Sequence, residues 1–110
     1  MIIKNTFRLC LSVILSISSI SSYAELTQDR KQQLEHLLKH DCGSCHGMTR
    51  KGGLGPALLS DNLKNKSDEF LFLTIQHGRP GTPMPPWSEQ LSNQDINWIV
   101  HLLRANKPNE

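Results

Sequence analysis

Residues 42–46 read Cys-Gly-Ser-Cys-His, and no other stretch of the 110-residue chain restricts its fold as strongly. Two thiols three positions apart lie on one face of a helical turn. There each can add to one vinyl group of a single porphyrin, and the next residue, His46, offers a ring nitrogen to the iron. This spacing marks covalent c-type haem attachment. Other uses of the pair fit less well. A thioredoxin-like redox couple wants a strand–helix–strand setting, and the chain has no alternating strand pattern. A structural zinc site wants a second Cys or His pair at short spacing. A disulfide would close too small a loop to hold the domain together and would leave His46 without a role. The expectation is one covalent haem c, with Cys42 and Cys45 as thioether residues and His46 as an axial ligand.

The N-terminus is read apart from the fold. Lys4 and Arg8 precede an apolar, serine-rich run from Leu9 to Ile20, and Ser22 and Ala24 are small residues at the positions a signal peptidase reads. The uncharged run from Leu9 to Ala24 has 16 residues, short of the ~20 that span a bilayer. Residues 1–24 are therefore expected to be a cleaved signal peptide and residues 25–110 the functional domain, in the periplasm and without stable membrane insertion. Cys10 leaves with the signal, so Cys42 and Cys45 are the two cysteines that remain.

Charge changes with the same cut. The whole chain carries +2, from twelve basic against ten acidic residues. Without Lys4 and Arg8 the domain is formally neutral, which removes the electrostatic case for nucleic acid or anionic lipid. A domain of this size buries barely enough apolar surface to fold alone, so a large cofactor in its core is expected.

Along the domain, Thr27 is placed to cap a helix bearing Leu34, Leu37 and Leu38 on one stripe, running into the Cys motif and stopping near Gly47. His36 and His40 are read as a solvated face of it. Residues 47–66 are loop-like, punctuated by Gly47, Gly52, Gly53, Gly55 and Pro56. An iron-bound histidine usually donates its second ring N–H to a carbonyl, and the Pro56 carbonyl, ten residues after His46, is the candidate acceptor. Ser67 caps a second helix to about His77, ended by Gly78. Ser92 and Asp95 resemble a capping box for a last helix, with Leu91 stapled onto Ile96. Ile96, Ile99, Val100 and Leu103 follow at helical spacing, and Pro108 closes it. The fold class is all-α.

Between the last two helices lies Gly78-Arg79-Pro80-Gly81-Thr82-Pro83-Met84-Pro85-Pro86-Trp87. Prolines fix φ and push Thr82 and Met84 toward extended geometry, so Met84 sits in a stiffened segment. It is the candidate sixth ligand, with His77 and His101 as competitors. A thioether is soft and favours ferrous iron, raising the potential relative to two histidines. If both axial positions are filled, no substrate reaches the iron, and outer-sphere electron transfer rather than enzymatic turnover is expected.

Cys42-x-x-Cys45-His46, Gly55-Pro56, the Met84 loop and a closing helix resemble class I cytochromes c over nearly the whole domain. The resemblance implies three to four helices around one haem, with the first and last helices crossing. More narrowly, residues 40–47 (His-Asp-Cys-Gly-Ser-Cys-His-Gly), residues 52–58 (Gly-Gly-Leu-Gly-Pro-Ala-Leu) and residues 77–87 are similar to a subgroup. These are the small periplasmic cytochromes c associated with the cytochrome cd-type nitrite reductase of denitrifying bacteria. That likeness implies a monomeric carrier donating electrons to nitrite reductase; the alternatives are a donor or carrier in maturation of the reductase's haem d, and a ligand-binding haem sensor. The chain departs from many class I members in its last helix: Leu102-Leu103 occupies the stretch where an aromatic is usual, and Trp98 stands about one turn earlier.

Overall fold

A computed structural model describes residues 24–105. The expected signal segment, Ala24 excepted, and Pro108 lie outside the described residues. Helix α1 spans Gln28–Leu37 and starts where expected, with the Thr27 hydroxyl accepting from Arg30 N at 3.2 Å and Asp29 in the first turn. One departure follows. The sequence predicts an unbroken helix into the Cys motif, but Leu38–Cys42 form a π turn before α2, Gly43–His46. Such a turn accommodates one extra residue without ending the helix. Gly47, at φ +87°, ends it.

A second correction concerns residues 47–66, read as loop throughout. Ser60–Leu63 form one helical turn, α3. Its preceding residue, Leu59, supplies no side-chain cap, so no local signal announces it. It is held from a distance: Leu63 is buried in the core, and Arg104 Nη1 donates to Leu63 O at 2.8 Å. Arg104 also donates to Lys66 O and, from Nε, to Asp68 Oδ1 at 2.7 Å. One guanidinium thus satisfies a carbonyl at the end of α3 and another just after it, and grips the start of the next helix.

Helix α4 covers Asp68–His77, capped by Ser67, whose hydroxyl accepts from Phe70 N at 3.0 Å, and it stops at Gly78, φ +66°. Helix α5 covers Asn93–Ala105. Its capping box is reciprocal: Asp95 N donates to Ser92 Oγ at 3.1 Å and Ser92 N donates to Asp95 Oδ2 at 2.9 Å. Leu91 and Ile96 are both buried, as a staple requires.

No strand occurs among the described residues; the architecture is all-α. Helix α5 is the hub, packing against α1, α3 and α4. Its stripe of Ile96, Ile99, Val100 and Leu103 meets Leu34, Leu38, Leu63, Leu71 and Leu91 in a single buried cluster. Across the α1–α5 contact, Arg30 pairs with the buried Asp95. Among the described residues no helix is long and apolar enough to cross a membrane.

Candidate haem-binding site

The site begins at the last residue of α2. His46 Nδ1 lies 2.7 Å from the carbonyl oxygen of Pro56. A carbonyl only accepts, so Nδ1 carries the hydrogen and donates it. In the neutral ring that tautomer puts the lone pair on Nε2, the state a metal ligand needs.

The loop from Gly47 to Leu58 makes this contact possible by folding back onto the end of α2. Gly52 N donates to His46 O and Gly55 N donates to Cys45 O, both at 2.8 Å, and Leu58 N donates to Arg50 O at 2.9 Å. Two of the last carbonyls of the helix are therefore capped by the loop that carries the acceptor for His46. The approach is very close. A Cβ on Gly55 would stand 2.7 Å from His46 Cε1 and 2.8 Å from Nδ1. Only a glycine lets the backbone lie against this imidazole.

Cys42 and Cys45 are both partly buried, and neither is in a disulfide. Burial pushes the Cys42 thiol up to about 11, and the Asp41 carboxylate adds to the shift.

Met84 sits, half-buried, in a loop that is tied to itself and to α4. Arg79 N donates to Met84 O at 3.1 Å, Thr82 N donates to Arg79 O at 3.0 Å, and Trp87 N donates back to Ile75 O at 3.1 Å. The backbone of Met84 bonds within this loop and lies beside Gly78, whereas the His46 ring lies against Gly55 and Pro56. His46 and Pro56 are thus brought together, with Cys42 and Cys45 on the same helical run, while Met84 comes from a separate element.

Other residues singled out in the sequence fall elsewhere. His77 ends α4 and is exposed. His101 stacks on Trp98, ring centres 5.4 Å apart, and Lys31 Nζ lies 4.7 Å from the Trp98 ring centre. Trp98 therefore meets the first helix through Lys31. His36 and His40 contact each other on the surface, centres 4.2 Å apart. Sequence reasoning missed the close approach of Gly55 to the ring; a glycine directly before Pro56 was the available signal.

These residues suit a covalent haem. Two unbridged thiols, an imidazole with its tautomer fixed and a thioether in a tied loop form the donor set, and large apolar side chains stand open to solvent nearby in sequence, with Leu54 77% exposed. Cys42, Cys45 and His46 on an N-terminal helix that is closed by a C-terminal one define a c-type cytochrome. The chain belongs to the family described as "Cytochrome C oxidase, cbb3-type, subunit III", which matches over residues 29–103. It is 54% identical over 74 residues to a protein of Pseudomonas aeruginosa named Cytochrome c55X, covering 67% of this chain and 62% of that one. The chain thus spans less than two thirds of that relative's length. Among solved structures it resembles "c-type cytochrome NirC", with a TM-score of 0.71 and 50% identity, covering 73% of this chain and 94% of the other. It also resembles "Dihydro-heme d1 dehydrogenase NirN in complex with DHE", with a TM-score of 0.63 and 36% identity over 69% of this chain but 16% of that one. The cofactor is one covalently bound haem c.

Proposed function

We propose that this cytochrome is a periplasmic carrier that passes single electrons to a cytochrome cd-type nitrite reductase, with Cys42 and Cys45 as thioether residues and His46 and Met84 as axial ligands. The observation that supports the site is the His46–Pro56 hydrogen bond, which orients the ring and suits Nε2 to accept a metal. When bound, the haem supplies an iron that cycles between ferrous and ferric states. The chain does the rest. Pro56 fixes the orientation of the His46 ring, and the hydrogen-bonded Met84 loop would hold the thioether in place with little reorganisation. His46 and Met84 would both hold the iron, leaving no place on it for a substrate, and the bound group would supply one-electron transfer. A transient contact below about 1,200 Å² suits such an exchange.

The likeness to Cytochrome c55X and NirC supports placing the carrier beside nitrite reduction. A second reading has its own support: the resemblance to a dihydro-heme d1 dehydrogenase favours a role in maturing the reductase's haem d. Export, cleavage after Ala24 and a monomeric state belong to the proposal, and mass spectrometry and sedimentation of the purified protein test them.

The deciding experiment pairs spectra with genetics. The purified protein should be six-coordinate and low-spin, with the near-infrared sulfur-to-iron band. A strain lacking the protein should assemble fully loaded reductase yet lose electron delivery to it. Reductase lacking haem d in that strain would transfer the role to maturation. A five-coordinate spectrum, or carbon monoxide bound at neutral pH without denaturant, would point to a ligand sensor.

A further inference from the structure

The segment carrying Met84 rests on the end of α4 at a point where two backbones nearly touch. A Cβ built on the buried Gly78 would lie 2.5 Å from Pro85 C, 2.6 Å from Pro86 N and 2.7 Å from Met84 O. All three are main-chain atoms, so no side chain can swing aside. Nor can the segment drift freely, because Arg79 N–H holds Met84 O at 3.1 Å on one side and Trp87 N–H holds Ile75 O at 3.1 Å on the other. Inside this frame the Thr82 hydroxyl donates to Arg79 O at 2.6 Å and accepts from Met84 N at 3.4 Å.

We infer that Gly78 and Thr82 are positioning residues for Met84: the bare Cα of Gly78 is the seat on which residues 84–86 lie, and the Thr82 hydroxyl ties Met84 into the turn above it. This rests on the reading of Met84 as an iron ligand. Adding a methyl group at Gly78 would displace the segment by about 1 Å, the gap between 2.5 Å and ordinary contact. A displacement of that size at a ligand loosens its bond to the metal without touching Cys42, Cys45 or His46.

Gly81 provides the control. It too has a positive φ, +79°, yet a Cβ there would meet nothing within 4 Å. Ala at either position suffers a positive-φ penalty, steeper at Gly78, whose φ +66° and ψ −165° suit glycine almost alone, and only at Gly78 does it also strike the Met84 segment.

The test uses the purified holoprotein and compares wild type with Gly78→Ala, Gly81→Ala and Thr82→Val. Three quantities are read: the near-infrared sulfur-to-iron band, the midpoint for imidazole binding to the ferric form, and the thermal midpoint with far-ultraviolet helicity. Gly81→Ala is expected to lower the thermal midpoint while keeping the band and the wild-type imidazole midpoint. Gly78→Ala should keep its helicity but lose the band, or bind imidazole about tenfold more tightly, because a competitor gains what the internal ligand loses. Thr82→Val should shift imidazole binding in the same direction by less, and it keeps the inference testable if Gly78→Ala does not accumulate. Equal effects of Gly78→Ala and Gly81→Ala would overturn the inference and leave Met84 as ligand. An unshifted imidazole midpoint in Thr82→Val would remove Thr82 from it, and would overturn it altogether if Gly78→Ala had also failed to fold. A wild-type protein without the band would overturn both the inference and the ligand assignment beneath it.

Discussion

Arg30 and Asp95, 65 residues apart in sequence, face each other as a two-pronged pair: Nε to Oδ1 at 3.0 Å and Nη2 to Oδ2 at 2.9 Å. Asp95 is 5% exposed and also accepts from Ser92 N. The carboxylate that starts α5 is therefore the one that fastens α5 to α1.

Replacing Arg30 should show what that double duty is worth. Arg30→Met leaves the capping box in place but strands a buried carboxylate, and it is expected to lower stability by about 2 kcal/mol in denaturant titrations at neutral pH. Breaking a fully buried pair costs about 3–5 kcal/mol, and the partial exposure of Arg30 reduces it.

The same pair makes stability depend on pH in a defined window. Arg30 foremost, with Ser92, holds the Asp95 carboxyl down at about 2, against its ordinary 3.8. A depressed acid stabilises the fold fully above its unfolded value and loses that contribution as pH falls through its folded one. Denaturant midpoints should therefore fall between about pH 4 and pH 2 in wild type. Asp95→Asn should flatten that part of the profile; an identical slope in the variant would remove Asp95 as its source.

Arg104 and Asp68 should differ sharply although they touch. Asp68 is 73% exposed at its side chain, and Asp68→Asn is expected to cost under ~1 kcal/mol, as exposed ion pairs do. Arg104→Ala also strips Leu63 O and Lys66 O of their donor, and a loss of about 2 kcal/mol is expected from calorimetry.

At the His46 ring, Gly55→Ala would thrust a methyl group into the imidazole. Overpacking of this kind costs about 1–3 kcal/mol, and the His46 Nδ1–H resonance should shift as its bond to Pro56 stretches. Proton spectra of the reduced protein would register it.

Met84→His tests the proposed role of Met84 as an iron ligand. Exchanging a thioether for an imidazole favours ferric iron, and a fall on the order of 100 mV is expected in redox titration, within the ~0.8 V that axial ligands command.

Helix starts were legible because their causes are local. Thr27, Ser67 and the Ser92–Asp95 box each bond within three residues, a reach that sequence spacing displays directly. Helix α3 was not, because what holds its four residues is the burial of Leu63 and the guanidinium of Arg104, 41 positions from that carbonyl. The partner of Asp95 was hidden for the same reason. At the site, the ten-residue step from His46 pointed to Pro56, and that contact is present at 2.7 Å; the metal-binding roles of His46 and Met84 remain part of the proposal. The proximity of Gly78 to residues 84–86 depends on how the loop doubles back, which proline count alone does not encode.

The π turn at Leu38–Cys42 separates two azimuths that a regular helix would lock together. Upstream, Leu34 must point inward; downstream, the thiol pair must point wherever the porphyrin lies. One surplus residue supplies about 100° of rotation between them. Deleting Lys39 would reset that angle, swinging the attachment motif around the axis while every side chain in it stayed the same. The chain thus carries, ten residues after its first helix begins, a dial by which a single insertion or deletion can re-aim the pigment against an unaltered core.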